Sequence, residues 1–515
     1  MKVGELVQFA AEQQQRHDAS TSASERRERG HFGTPAAIAQ FMAEMFSAIP
    51  EGTVRILDPG AGVGTLSAAI CQRLLAERSR RYVLFELWEN DPSLIATLEA
   101  TMNQCQKALR AAGHELRFNI RVDDFILANT QRNLFENGPQ ASFDLAILNP
   151  PYFKLRKDSP HARAMGHVVH GQPNIYALFM AASADLLVPC GEMVAITPRS
   201  YFNGSYFKRF RRWLLDRMTV RQIHVFESRS DAFRGDSVLQ ENVILRAEKG
   251  GKPKDVVLTN CVGRDLRALV RNSVAYDKVI DNSNEESVIR VTMSRFEHEL
   301  VTSMDSLPAR FRSLGFEIST GPVVTFRATK LLRFERAEDT APLFWMHNVR
   351  PFVTQMLSKN RKPTHIEISQ SSKKLLVRAE WYVLLKRFTA KEEKRRLVAG
   401  IVNPSDSYSE WVGLENHLNY VYRRNARLTR PEAYGLAAFF NSAFVDRYFR
   451  AISGNTQVNA AEIRCMPVPD QQTLEKIGEK IQEYDLKDCA TVENVVGQAI
   501  GLPCYLIDEL VEAAR

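Results

Sequence analysis

The sequence predicts an α/β protein: a doubly wound, mainly parallel sheet in the N-terminal half, followed by a C-terminal domain of α+β type. Three observations carry this prediction. Apolar strand-like runs alternate with helical patterns from Val54 to about Arg246. A Gly-rich turn, Asp58-Pro59-Gly60-Ala61-Gly62-Val63-Gly64, follows the first run directly. Acids then stand at the ends of the next runs, where ligands of such sheets bind.

Taken in order, residues 1–30 read as an N-terminal arm, a short helix followed by a polar tether from Ser20 to Arg29 that only a ligand would order. Thr34 is expected to cap a helix with Pro35 at its first position and Ile38, Phe41, Met42, Met45 and Phe46 at helical spacing. The strand Val54–Leu57 leads through the Gly-rich turn into a helix containing Leu66, Ile70 and Leu74. A second strand, Tyr82–Trp88, ends at Glu89-Asn90-Asp91-Pro92, which opens another helix. A third precedes Asp123-Asp124, and Phe143–Leu148 is the fourth. Met193–Thr197, Gln222–Phe226 and Asn242–Arg246 are further strands. Beyond about residue 285 the rhythm changes, aromatic and basic residues cluster, and helices are expected around Pro431–Arg450 and Leu474–Glu483. The expected domains are therefore the arm 1–30, a sheet domain 31–285 and a second domain 286–515.

At 515 residues the chain is too long for a single core. It has no apolar signal-peptide core and no run of about 18 apolar residues, so a cytoplasmic protein without membrane contact is expected. Seven cysteines lie far apart and never form CxxC, which argues against a zinc site or a disulfide framework and for mostly core cysteines. Between Arg350 and Gly400 thirteen Lys/Arg face four Asp/Glu, an excess that accounts for the whole net charge of +8. Interleaved with Trp381, Tyr382 and Phe388, this block reads as a polyanion-binding face.

The chemistry concentrates in Asn149-Pro150-Pro151-Tyr152, at the end of the fourth strand. Two prolines stiffen the turn and remove two backbone donors. Asn149 and the Pro150 carbonyl can then accept from a planar amine while Tyr152 lies against the ring that carries it. The turn at Asp58 is an acid followed by GxGxG, not the GxGxxG dinucleotide fingerprint. An acid here repels a pyrophosphate but accepts from an ammonium; Gly60 and Gly62 let the backbone approach a ligand. Glu89 is placed for two ribose hydroxyls, and Asp124 for an adenine amino group beside the apolar face of Phe125. Upstream, Gly33-Thr34-Pro35 with Phe32 can close over the far end of the same ligand.

In these motifs and their order the chain resembles the amino-methylating DNA methyltransferases of the gamma class, which make N6-methyladenine in restriction–modification systems. The matching motifs span roughly residues 30–245. The resemblance implies a Rossmann-like catalytic domain using S-adenosylmethionine, a C-terminal target-recognition domain, double-stranded DNA as substrate, and a separately encoded restriction endonuclease with the same site. A monomer is expected, with no metal. By the resemblance, Asn149 and the Pro150 carbonyl hold the target amine, Tyr152 stacks on the base, and Phe233 packs on its other side. Phe32, Thr34, Pro35, Asp58, Gly60, Gly62, Glu89, Asp124, Phe125 and Asn149 form the cofactor site. Lys359, Arg361, Lys362, Lys373, Lys374, Arg378, Lys386 and Arg387 are expected on DNA phosphates, and Arg423, Arg424, Asn455 and Gln457 are candidates for reading bases.

Related NPPY enzymes methylate N4 of cytosine, RNA bases or a protein glutamine amide. The glutamine enzymes are typically smaller and lack a basic C-terminal domain, whereas cytosine enzymes of related type more often carry serine in the first position of the motif.

Overall fold

The computed structural model describes residues 5–20, 33–131, 142–226, 241–261, 266, 268–281, 287–356, 362–389, 393–453, 457–484 and 488–514. The chain divides into two compact units, Met1–Met293 and Ser294–Arg515.

In the first unit one sheet contains β1 (Gly52–Pro59), β2 (Arg81–Trp88), β3 (Glu115–Arg121), β4 (Phe143–Leu148), β5 (Leu187–Pro198), β6 (Met218–Val225), β7 (Asn242–Lys249), β8 (Val256–Cys261) and β9 (Leu269–Val274). Their order is β3-β2-β1-β4-β5-β7-β6-β8-β9. Strands β3 to β5 in that row are parallel, β7 is antiparallel to both neighbours, and β8 is parallel to β6. The central strand β4 carries Leu145, Ala146, Ile147 and Leu148 as an unbroken buried run, the pattern of a parallel strand covered on both faces.

The helices are α1 (Glu5–Ser20), α2 (Ala36–Met45), α3 (Thr65–Leu74), α4 (Pro92–Ala111), α5 (Phe125–Gln131), α6 (Pro160–Ala164), α7 (Ile175–Leu186) and α8 (Lys208–Arg217). Helices α1 to α4 pack on one another, and α5 to α8 form a second group, giving the doubly wound arrangement. Helix α4 starts at the Asp91 cap with Pro92 in its first turn and buries a stripe through Leu94, Leu98, Met102, Cys105 and Leu109. Helix α7 is apolar almost all round and is buried nearly throughout, as that composition requires.

Three expectations need correction here. Helix α1 is not a separate arm: Leu6, Val7 and Ala10 are buried in the first unit, and the Leu6 amide donates to Gln72 Oε1 at 3.1 Å. The tether that follows it lies outside the described residues. Helix α2 is capped one residue later than expected, at Pro35, with no side-chain cap bond, which releases the Thr34 hydroxyl for other use. The cysteines are not mostly core: Cys71, Cys105 and Cys261 are buried, whereas Cys190, Cys465, Cys489 and Cys504 are exposed.

The second unit is α+β. Phe316–Thr320, Leu418–Arg423, Tyr382–Lys386 and Ala399–Val402 form an antiparallel sheet in that spatial order. A second sheet joins Leu332–Arg333, His365–Glu367, Thr340–Phe344, Trp411–Leu414 and Leu376–Arg378. The helix expected over 431–450 is two helices, Arg430–Asn441 and Ala443–Ile452. The break is at Ser442, which is extended and whose hydroxyl accepts from the Val445 amide to cap the second helix. Among the described residues no helix is long and apolar enough to cross a membrane, and no cluster of His, Cys, Asp and Glu is suited to a metal.

Candidate functional site

The strand order β3-β2-β1-β4 sets four segments side by side along the C-terminal edge of the sheet. Asp124 follows β3, Glu89 follows β2, Asp58 lies in β1 and Asn149 follows β4. Asp58 pairs with Leu87 of β2, and Trp88 of β2 pairs with Arg121 of β3, so the acids are level across the edge. At the usual interstrand spacing the row from β3 to β4 covers about 14 Å. That is the reach of an extended ligand of nucleoside size with a short chain attached.

Each member has defined partners. Asp58 is fully buried, and its Oδ2 accepts from Ser67 Oγ at 2.6 Å, one turn into α3. Its Oδ1 is buried with no partner among the described residues. Burial, opposed by the Ser67 bond and helped by the nearby Glu89 charge, pushes this carboxyl up to about 7. Glu89 Oε2 accepts from the Gly62 amide at 2.9 Å and Oε1 from the Asp91 amide at 2.8 Å. The carboxylate therefore holds the Gly-rich turn in place.

The glycines of this turn do different jobs. Gly62 has φ +57 and open space where a side chain would start, so its backbone is approachable. Gly64 has φ +87, and a Cβ there would stand 2.9 Å from Leu98 Cδ1, so it packs α3 against α4.

Asp124 Oδ1 accepts from the Leu127 amide at 2.8 Å, and Oδ2 is 2.8 Å from His161 Nε2 on α6. Burial raises this carboxyl, but the His161 bond and the amides of Leu127 and Ile126 outweigh it and hold it below the usual range. Phe125, expected to offer an open apolar face, is only 3% exposed, edge-on to Trp88 at 5.7 Å and tilted against Phe179 at 5.4 Å. Phe179 also fills the space before Gly60, 3.7 Å from where a Cβ would be. The apolar wall thus belongs to Phe179 of α7 as much as to Phe125.

At β4 the Asn149 carboxamide is held at both ends. Its Nδ2 donates to Thr34 Oγ1 at 3.0 Å, and its Oδ1 accepts from the Tyr152 hydroxyl at 2.7 Å. The Tyr152 hydroxyl also lies 3.0 Å from the Ile196 carbonyl of β5, and its ring is edge-on to Tyr176 at 6.3 Å. Burial pushes this hydroxyl well above the usual tyrosine range, so it stays a donor. Pro150 is buried and Pro35 exposed. Phe32 and Phe233 lie outside the described residues.

Sequence reasoning missed His161, Phe179, Ser67 and the Thr34–Asn149 bond. Ser159-Pro160 announces the start of α6, but nothing local signals that its His161 faces Asp124, 37 residues earlier in the chain.

In the second unit the basic residues divide. Arg423 is withdrawn from any ligand: it bonds Glu432, donates to the Leu314 carbonyl at 2.8 Å and lies over the Phe316 ring. Arg387 donates to the Asn416 carbonyl at 3.0 Å and to Gln457 Oε1 at 3.2 Å, which commits both side chains locally. Arg378 pairs with Glu410 at 3.0 Å, Lys362 lies over the Trp345 ring, and Lys386 is half-buried. Lys373, Lys374 and Arg424 are exposed. Lys359, Arg361 and Asn455 lie outside the described residues. Two further members of the basic block are structural: Arg395 pairs with buried Glu493 at 3.2 Å, and Arg396 is buried beside Thr389 and Phe449.

Two outcomes follow from this geometry. Between about pH 4 and pH 7 the folded protein retains a proton on Asp58 that the unfolded chain, at 3.8, has released. Stability from this group is therefore complete below the unfolded value and is lost as pH rises through 7, a change of roughly a few kcal/mol. Urea unfolding of the ligand-free protein should show this fall relative to Asp58→Asn, which keeps the Ser67 bond; parallel pH profiles would refute it. Gly64→Ala should cost about 1–3 kcal/mol in the same assay, from left-handed strain plus overpacking at Leu98. Gly62→Ala should cost about 1 kcal/mol, from the strain alone.

The sequence between residues 72 and 233 matches the family model described as Eco57I restriction-modification methylase. Among known proteins, the type II methyltransferase M.BsuBI of Bacillus subtilis is 36% identical over 460 residues, covering 88% of this chain and 90% of that one. The type II methyltransferase M.PstI of Providencia stuartii is 33% identical over 482 residues, covering 93% and 94% respectively. Among solved structures, the type IIL restriction-modification enzyme MmeI in complex with DNA superposes with a TM-score of 0.52 at 11% identity, over 90% of this chain and 69% of that one. At that identity the likeness speaks for the fold alone. With 36% identity to M.BsuBI across 88% of its length, the chain belongs to the methyltransferases of type II restriction–modification systems.

Proposed function

We propose that the chain transfers a methyl group from S-adenosylmethionine to N6 of an adenine flipped out of duplex DNA, at a specific site that a separately encoded restriction enzyme would otherwise cut. The observation that carries this reading is the oriented Asn149 carboxamide, next in the sheet edge to the unpartnered buried oxygen of Asp58.

The residues fit the cofactor. A buried carboxylate oxygen without a donor, as at Asp58, is costly unless a ligand supplies one, and an ammonium does so while drawing the carboxyl back to its charged form. Glu89 offers lone pairs to a ribose diol, and Gly62 leaves the approach open. Asp124, with both oxygens already engaged, is assigned an outer-wall role with His161, beside the Phe125–Phe179 surface. S-adenosylmethionine, when bound, supplies an electrophilic methyl group on its sulfonium.

The chain's own residues do the rest. An adenine within a duplex cannot reach the edge of this sheet, so the base is extruded at a cost of a few kcal/mol. Stacking on Tyr152, and on Phe233 by the family resemblance, offsets roughly 1–3 kcal/mol per contact. Thr34 holds the Asn149 amide so that Oδ1 faces away from it, and the buried Tyr152 hydroxyl steadies that oxygen. Asn149 Oδ1 and the Pro150 carbonyl then accept the two amine hydrogens and favour a pyramidal nitrogen whose lone pair is free to attack. The catalysis is positioning plus fixed dipoles, with no covalent enzyme intermediate.

Tritium transfer from labelled S-adenosylmethionine to plasmid DNA, followed by nucleoside chromatography, tests the reading. Label is expected in N6-methyldeoxyadenosine; label only in N4-methyldeoxycytidine would move the acceptor to cytosine, and unlabelled DNA would reject the proposal. Asn149→Ala should lower kcat by about a hundredfold or more with cofactor affinity nearly intact. Wild-type turnover in that variant would remove the assigned role.

A further inference from the structure

The segment after Tyr152 leaves the sheet edge and returns to start α7. Its two ends are zipped together: the Leu155 amide donates to the Pro173 carbonyl at 2.7 Å and the Ile175 amide to the Phe153 carbonyl at 3.0 Å. The far part of this excursion is bound to α8, where Arg209 Nε donates to the His167 carbonyl at 3.1 Å. Together they form an open groove lined by His167, His170, Lys208, Arg209 and Arg212, with Asp216 as the acid among its lining residues. His167, His170, Arg209 and Arg212 are exposed. Outside the groove, the Lys154 ammonium lies 5.8 Å over the ring of the 40% exposed Tyr206, two residues before Lys208. Lys154 is two residues past Tyr152, within about 7 Å along the chain.

We infer that this groove on the catalytic unit binds the DNA backbone through phosphate contacts from Arg209 and Arg212. The inference rests on the reading of duplex DNA as substrate and adds a contact surface separate from the basic block of the second unit. Phosphates, not bases, fit the groove. Arg209 and Arg212 are long and exposed, whereas the groove's aromatic residue, Trp213, is buried and has Arg217 over its ring at 4.5 Å, leaving no open face for a base.

The test is fluorescence anisotropy of the full chain on a DNA duplex across a salt series, for wild type and three double variants. Arg209→Ala with Arg212→Ala should weaken binding at least tenfold near physiological salt. It should also reduce the slope of log affinity against log salt by about two, close to one for each phosphate that is no longer neutralised. Arg209→Lys with Arg212→Lys should keep most of the slope, because point charge suffices for phosphate. Lys107→Ala with Arg110→Ala, exposed on α4 in the other helical group, should behave as wild type. Cofactor binding, measured calorimetrically, should be unchanged in all and reports folding. A wild-type slope in the alanine pair overturns the inference, as does an equal loss in the lysine pair or the α4 control. Wild type that fails to bind DNA at all would instead reject the DNA reading on which the inference stands.

Discussion

Everything proposed for this chain turns on the two hydrogen bonds that fix the Asn149 carboxamide, one to Thr34 and one from Tyr152. A carboxamide presents two donors on one side and one acceptor on the other, and at the end of an isolated strand it can rotate to present either. An amine acceptor site needs the oxygen. Thr34 makes the choice by taking a hydrogen from Nδ2, and it is available because α2 starts at Ala36, is capped at Pro35 and does not use the threonine as its cap. Tyr152 completes the clamp because its hydroxyl is buried, stays protonated and lies nearer Asn149 Oδ1, at 2.7 Å, than the Ile196 carbonyl, at 3.0 Å, for its one hydrogen. Three segments far apart in sequence therefore determine which way one side chain faces.

The second constraint is the sheet order. Because β1 lies between β2 and β4, acids separated by more than thirty residues each become neighbours of the NPPY turn in one row. Among the described residues, this row leaves a buried carboxyl at Asp58 with one oxygen unmatched, a group that a folded protein ordinarily avoids. Such unfavourable burial at a ligand-facing edge is how binding sites commonly differ from core, and here it gives the ligand-free protein a stability that declines toward neutral pH.

Much of the first unit was legible in the sequence because its signals are local. The alternation of apolar runs with helical periodicity located β1 to β7, the Asp91-Pro92 cap announced α4, and the glycines marked the turn. What was not legible is what depends on contacts across the chain. Thr34 satisfies every local rule for a helix cap, yet the helix starts one residue later. His161 carries no local mark of its bond to Asp124, and Phe125 reads as a ligand-facing aromatic until Trp88 and Phe179 are seen around it. In the second unit, composition alone makes Arg423 and Arg387 look like DNA contacts. Their guanidinium groups are instead engaged by Glu432, by backbone carbonyls and by Gln457, partners that no spacing rule picks out. Conversely, α8, which carries Arg209 and Arg212, was not picked out in the sequence.

The clamp on Asn149 is tested most directly by comparing Thr34→Val with Thr34→Ser in steady-state methyl transfer to DNA. Losing one hydrogen bond that fixes the amide, worth about 1 kcal/mol, should lower kcat several-fold to tenfold while KM for DNA and for S-adenosylmethionine stays within about twofold. Serine keeps the hydroxyl and should restore most of the rate. A valine variant with wild-type kcat, or a serine variant as slow as valine, would contradict the account.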